Sequence, residues 1–128
     1  MLIGVPKEIH PGENRVALIP AGIAALQKAG FEVVIQTGAG DSAHIADDEY
    51  RNAGASLAPT AESLYQQADI ILKVRLPQAE EIAQMRDGST LICLLDAWFN
   101  LDTVKLLAAK NIRSFALEFI PRTTRAQS

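Results

Sequence analysis

Two guanidinium groups, one carboxamide and three hydroxyls fall within the last seven residues of the chain: Arg122, Thr123, Thr124, Arg125, Gln127 and Ser128. Such a set suits a polar, anionic ligand. A planar Arg fork matches phosphate or carboxylate oxygens, and amide and hydroxyl groups donate and accept around it. A second set of cations is Arg15, Lys73 and Arg75. Arg15 follows a polar loop behind the first apolar run, whereas Lys73 and Arg75 close the run that begins at Ile70. Cations at the C-terminal edge of a parallel sheet can hold a carboxylate or a phosphate. Basic residues at strand ends are more often solvated or paired locally, so both readings stand at this level. No Ser-His-Asp or Cys-His arrangement can be assembled for nucleophilic catalysis. With one cysteine and two histidines, a zinc site of the usual His/Cys type has no support. Chemistry carried by a bound cofactor needs no such set.

The run Gly38-Ala39-Gly40-Asp41-Ser42-Ala43 matches G-x-G-x-x-A. A dinucleotide fingerprint also needs a helix opening at those glycines and an acidic residue ending the next strand. Glu62 is the nearest acid in reach, and it falls inside a predicted helix. The glycines therefore read as a sharp turn, which glycine permits.

The elements that must position these groups alternate between short apolar strands and amphipathic helices. Strands are predicted over 2–5, 31–36, 69–74, 89–95 and 113–120. Helices are predicted from Pro20 to Gly30 and over 45–53, 61–67, 77–85 and 101–110, the last with Leu101, Val104, Leu107 and Ala108 on its inner face. This pattern implies an α/β fold: a three-layer, Rossmann-like or flavodoxin-like parallel sheet with helices on both faces. Residues 1–128 form one domain in this reading. The polar segment after the last strand reads either as a ligand loop cut from a longer protein or as a frayed tail.

Bulk properties narrow the function classes. Apolar residues make up 48% and charged residues 21% of the chain, as in globular proteins and unlike disordered ones. A net charge of −3 gives no reason to expect a nucleic-acid partner. The run from Leu91 to Leu95 is far too short to span a bilayer, and Pro6-Lys7-Glu8 interrupts the N-terminal apolar stretch before a signal sequence can form. The expectation is a cytoplasmic protein without direct membrane insertion. Cys93, within an apolar run, reads as a buried and inert thiol.

The residues themselves are more specific than their spacing. Ile3-Gly4-Val5-Pro6-Lys7-Glu8, then Glu13-Asn14-Arg15-Val16-Ala17-Leu18 with Pro20, resembles the opening of the alanine dehydrogenase/transhydrogenase family. Gly30-Phe31-Glu32-Val33, Gly38-Ala39-Gly40, the stretch 69–74 and Pro77 continue the resemblance in order across the chain. It implies the opening portion of a domain that is not the usual dinucleotide fold, beside a separate Rossmann domain encoded downstream and absent here. Where alanine dehydrogenases typically carry histidine and lysine for their substrate, this chain has Asp96 and Arg75. The ending Pro121-Arg122-Thr123-Thr124-Arg125-Ala126-Gln127-Ser128 resembles the transhydrogenase segment P-R-x-x-R-A-Q-S.

The implied reaction is hydride transfer between NAD(H) and NADP(H), coupled to proton translocation in the complete enzyme. Arg122, Thr123, Thr124, Gln127 and Ser128 would then contact NAD(H), and Gln127 would act in catalysis by reaching toward the NADP(H) of a partner domain. Arg15, Lys73 and Arg75 would line a substrate-type pocket. Implied partners are the NADP(H)-binding and membrane-spanning components, which hold the protein at the inner membrane. The complete protein would be a homodimer and the isolated chain inactive. An alanine dehydrogenase domain and a non-catalytic α/β module are the alternatives.

Overall fold

A computed structural model describes residues 1–94 and 101–117. Six strands, β1 (Leu2–Val5), β2 (Glu32–Gln36), β3 (Ser56–Ala58), β4 (Ile70–Lys73), β5 (Thr90–Cys93) and β6 (Arg113–Ala116), pair in the order β3-β2-β1-β4-β5-β6. Every pairing is parallel. The connecting helices are α1 (Ile23–Lys28), α2 (Asp47–Asn52), α3 (Ala61–Gln67), α4 (Ala79–Gln84) and α5 (Leu101–Ala109).

Side-chain alternation along the strands divides the core in two. Ile3, Val5, Val33 and Ile35 face α1 and α2, where they pack with Ile23 and Tyr50. Val34, Ile71, Leu91 and Cys93 face the other way, against Leu64 and Tyr65 of α3, Ile82 of α4 and Leu107 of α5. Gly4 lies between the layers because α3 comes close: a methyl group there would stand 2.7 Å from the Ala68 Cβ. Helix ends are held by side chains. Thr60 caps α3 by accepting from the Ser63 N–H at 3.1 Å. Lys110, in the turn after α5, donates to the carbonyls of Ile82, Ala83 and Met85 at the end of α4.

The fold agrees with the sequence-based expectation in class and differs in three places. β3 was not predicted: its three residues, Ser56 to Ala58, are too few to show a period. On α5 the buried residues are Thr103 and Leu107, while Leu101 is 67% and Val104 43% exposed. A helix this short packs over about one turn, so the stripe read from spacing overestimates the inner face. The strand order is that of dinucleotide-binding folds, although the resemblance pointed away from them. Their phosphate-binding glycines are nevertheless missing from the turn after β1.

Gly38 and Gly40 stand after β2 and open no α-helix. A single 3-10 turn follows (Asp41–Ala43), and α2 begins only at Asp47, whose Oδ1 accepts the Gly38 N–H at 2.9 Å. The next strand ends at Ala58 with no acid beside it.

Candidate functional site

In an open parallel sheet the chain leaves neighbouring strands toward opposite faces at the point where strand order reverses. A crevice opens there beyond the strand C-termini. Here that point lies between β1 and β4. The residues after β1 supply Glu8, Glu13 and Arg15, and the exit of β4 supplies Lys73 and Arg75. Tyr50 of α2 anchors the β1 loop from below, its hydroxyl donating to the Leu18 carbonyl at 2.7 Å. Burial, first, and the neighbouring Glu49 and Asp47 charges push that phenol up to about 12.

Two charged groups form at this edge. In the outer one, the Glu13 carboxylate is 2% exposed and receives two guanidinium groups. Arg15 binds it through two nitrogens, each at 2.9 Å, and through its backbone N–H at 2.8 Å. Arg75 Nε donates to the same carboxylate at 2.8 Å. One negative charge thus orients two positive ones, whose side chains keep 55% and 30% of their exposure. The Arg15 hydrogen bond, opposed by burial and helped by Arg75, holds the Glu13 carboxyl far below the usual carboxylate range.

That depression has a consequence for stability. A carboxyl bound more tightly as the anion in the folded state stabilises the fold at pH values above its unfolded pKa, about 4.3. The contribution fades as pH falls below that value. Glu13→Gln should therefore lose about 1.5–3 kcal/mol at pH 7, the worth of hydrogen bonds to a charged group. The gap to the unaltered chain should narrow by pH 3.5. Urea midpoints at the two pH values check this; a gap of equal size at both would refute it.

The inner group is buried. Lys73 is 1% exposed and donates from Nζ to Glu8 Oε1 and Glu81 Oε2, each at 3.1 Å. Tyr65 donates to Glu81 Oε2 at 3.0 Å, and the Gln78 N–H to Glu81 Oε1 at 2.8 Å. Desolvation, followed by the Glu81 charge, moves the Tyr65 phenol far upward. Cys93 borders this group and burial raises its thiol to about 12, so it stays protonated at neutral pH.

The structure brings Arg15 and Arg75 together and separates Lys73 from them. Alternation along β4 puts Lys73 on the same side as Ile71, beneath α3 and α4, so its ammonium points inward instead of facing a ligand. Sequence reasoning missed Glu8, Glu13 and Glu81 as organisers of the site. Glu8 and Glu13 stood within the motifs that carried the resemblance, and Glu81 gave no sign beyond its place in the first turn of α4. Beside Arg75 a cleft of about 440 Å³ opens, bounded by His10, Pro77, Gln78, Asp102 and Thr103. Asp96, Arg122, Thr123, Thr124, Arg125, Gln127 and Ser128 lie outside the described residues.

A doubly wound parallel sheet with two guanidinium groups held at its switch point defines an α/β domain of the Rossmann-like class. Within that class, the alanine dehydrogenase/PNT N-terminal domain family matches residues 4–128, and the chain belongs to it. It is 41% identical over its whole length to the NAD(P) transhydrogenase subunit alpha of Haemophilus influenzae, covering 25% of that protein. It is 39% identical over 94% of its length to an alanine dehydrogenase of Mycolicibacterium smegmatis, covering 32% of it. The solved transhydrogenase of Sinorhizobium meliloti superposes with a TM-score of 0.86 at 39% identity, over 99% of this chain and 38% of that one. The chain thus spans well under half the length of each of these relatives. No helix among the described residues is long and apolar enough to cross a membrane.

Proposed function

We propose that this domain forms part of the NAD(H) site of a proton-translocating NAD(P) transhydrogenase, which passes hydride between NAD(H) and NADP(H). The observation that carries this reading is Arg75. Where the resemblance puts the lysine of alanine dehydrogenases, a guanidinium is bound to Glu13 at the mouth of the cleft. Arg keeps its charge and presents a planar fork where a lysine presents a compact point charge, so the two are not interchangeable at a ligand site. The terminal P-R-x-x-R-A-Q-S match supports the same branch.

The nicotinamides carry the chemistry, and the domain contributes position. Arg75 supplies positive charge at the cleft, Arg15 shares its Glu13 partner, and Lys73 acts from within by tying down the strand end. Arg122, Thr123, Thr124 and Ser128 hold NAD(H), and Gln127 aligns the two nicotinamide ends. A downstream Rossmann domain completes the site, with NADP(H)-binding and membrane-spanning partners. An apolar row supports a larger assembly: Leu72 and Ile92, both half-buried, stand in register with Phe115 across β4, β5 and β6, and Phe115 is 53% exposed. In this reading the complete protein is a homodimer on the cytoplasmic side of the membrane.

The test is turnover by the complete protein. NADH should reduce an NADP⁺ analogue, and alanine should give no NAD⁺ reduction at a comparable rate. The reverse pattern would move the chain to the alanine dehydrogenase branch. Residue roles are checked separately. Arg122→Ala should weaken NADH binding about 10- to 150-fold, the equivalent of roughly 1.5–3 kcal/mol from charge-assisted bonds. Gln127→Ala should slow hydride transfer more than it changes NADH affinity. Calorimetry and single-turnover kinetics separate the two effects, and equal effects on both quantities would remove the assignment.

A further inference from the structure

Lys73 has two carboxylate partners that are equally buried and equally distant. Glu8 is 2% and Glu81 5% exposed, and each accepts from Nζ at 3.1 Å. They differ in what else they hold. Glu81 takes the Tyr65 hydroxyl and the Gln78 N–H at the start of its own helix. Glu8 takes two consecutive backbone donors beyond the end of β4: Val74 N–H on Oε2 at 2.8 Å and Arg75 N–H on Oε1 at 3.1 Å. These residues have left the strand, which ends at Lys73, so the Glu8 carboxylate stands where a neighbouring strand would. The Arg75 side chain departs from this pinned backbone and reaches Glu13 through Nε.

We propose that Glu8 is the positioning residue for Arg75. By closing three hydrogen bonds to residues 73–75 it fixes the exit of β4, and with it the direction in which the guanidinium meets Glu13 and the cleft. The proposal rests on the reading that Arg75 serves the ligand site. It is distinct from a general stabilising role, because Glu81 shares the Lys73 ammonium and is also buried but accepts neither the Val74 nor the Arg75 N–H.

The experiment follows the Arg75 Nε–H resonance in ¹⁵N spectra of the 128-residue chain, comparing Glu8→Gln, Glu8→Asp and Glu81→Gln. Asp keeps a negative charge for Lys73 and is one methylene too short to reach Nζ and both backbone groups together. Both Glu8 variants should speed exchange of the Arg75 Nε–H about tenfold, the equivalent of one net hydrogen bond. Glu81→Gln should change it less than about twofold, even where its thermal stability falls as far. Equal changes in Glu8 and Glu81 variants, or none in either, overturn the proposal. Should the variants not fold, the unaltered chain decides. Its Val74 and Arg75 amides must be protected well beyond unpaired loop amides, and unprotected amides overturn the assignment. These measurements need no ligand. If Arg75→Gln in the complete protein leaves NADH binding and hydride transfer unchanged, the functional reading fails while the positioning role stands.

Discussion

Lys73→Met is expected to destabilise the chain by about 3–5 kcal/mol, the range for removing one member of a buried ion pair. Methionine nearly matches the lysine stem in length and fills the same channel, so little of the loss comes from packing. What disappears is the ammonium between Glu8 and Glu81, each 3.1 Å from it and almost wholly excluded from water. Both carboxylates keep their other donors, namely the Val74, Arg75 and Gln78 N–H groups and the Tyr65 hydroxyl. Their charges then face each other without a cation, in an interior that screens them poorly. A domain of this size has about 5–15 kcal/mol of total stability, so the variant should lie near the edge of unfolding. Charge is separated from shape by the triple variant Glu8→Gln, Lys73→Met, Glu81→Gln. It retains hydrogen-bonding side chains and carries no ion, and should recover a substantial part of the loss. Urea denaturation of both proteins reads the result. A loss below about 1 kcal/mol in the single variant would mean that the trio is not the interior tie described above.

Gly40→Ala is expected to cost about 1–3 kcal/mol or more, an overpacking penalty at a place that cannot relax cheaply. A methyl group there would stand 2.7 Å from the Ile45 carbonyl oxygen, 2.8 Å from the Ile45 Cβ and 3.0 Å from Tyr50 Cε2. Two of these atoms belong to backbone or to a branch point, and the third to a ring that is fully buried and bonded to Leu18. Tyr50 carries the strain toward the β1 loop, and with it toward Glu13 and Arg15. The neighbouring Gly38→Ala has a different cause. Gly38 has φ +83°, and the nearest atom to an added methyl is an Asp41 carboxylate oxygen at 3.2 Å. Backbone strain of about 1–2 kcal/mol sets its cost. Thermal melts of the two variants should therefore rank Gly40→Ala as the more damaging. In the complete protein, Gly38→Ala should leave NADH affinity as it was, because these glycines shape a turn and no α-helix opens over them. A large loss of affinity in that variant, with stability preserved, would return the glycine run to the nucleotide site.

The order of strands and helices, β3 apart, was legible because each of the others leaves a local mark. Apolar runs of four or five residues make strands, Pro20 opens a helical turn, and Gly30 with φ +95° closes α1. Burial on both faces of the sheet followed from strands such as Val33-Val34-Ile35, where all three residues are apolar and all three are buried. Arg75 could be named as an edge cation for the same reason, since it stands just past an apolar segment, and Arg15 because it closes the polar loop that follows β1. Their pairing through Glu13 could not, because Glu13 and Arg75 are 62 positions apart. Nor could the inward turn of Lys73, which is a basic residue of ordinary appearance at a strand end. Its partner Glu8 lies 65 positions away on the other side of the switch point. Spacing along the chain determines what is near within a turn or along a strand. Which strand ends meet depends on the order in which the sheet assembles, and only that order brings the acids after β1 onto the cations at the exit of β4.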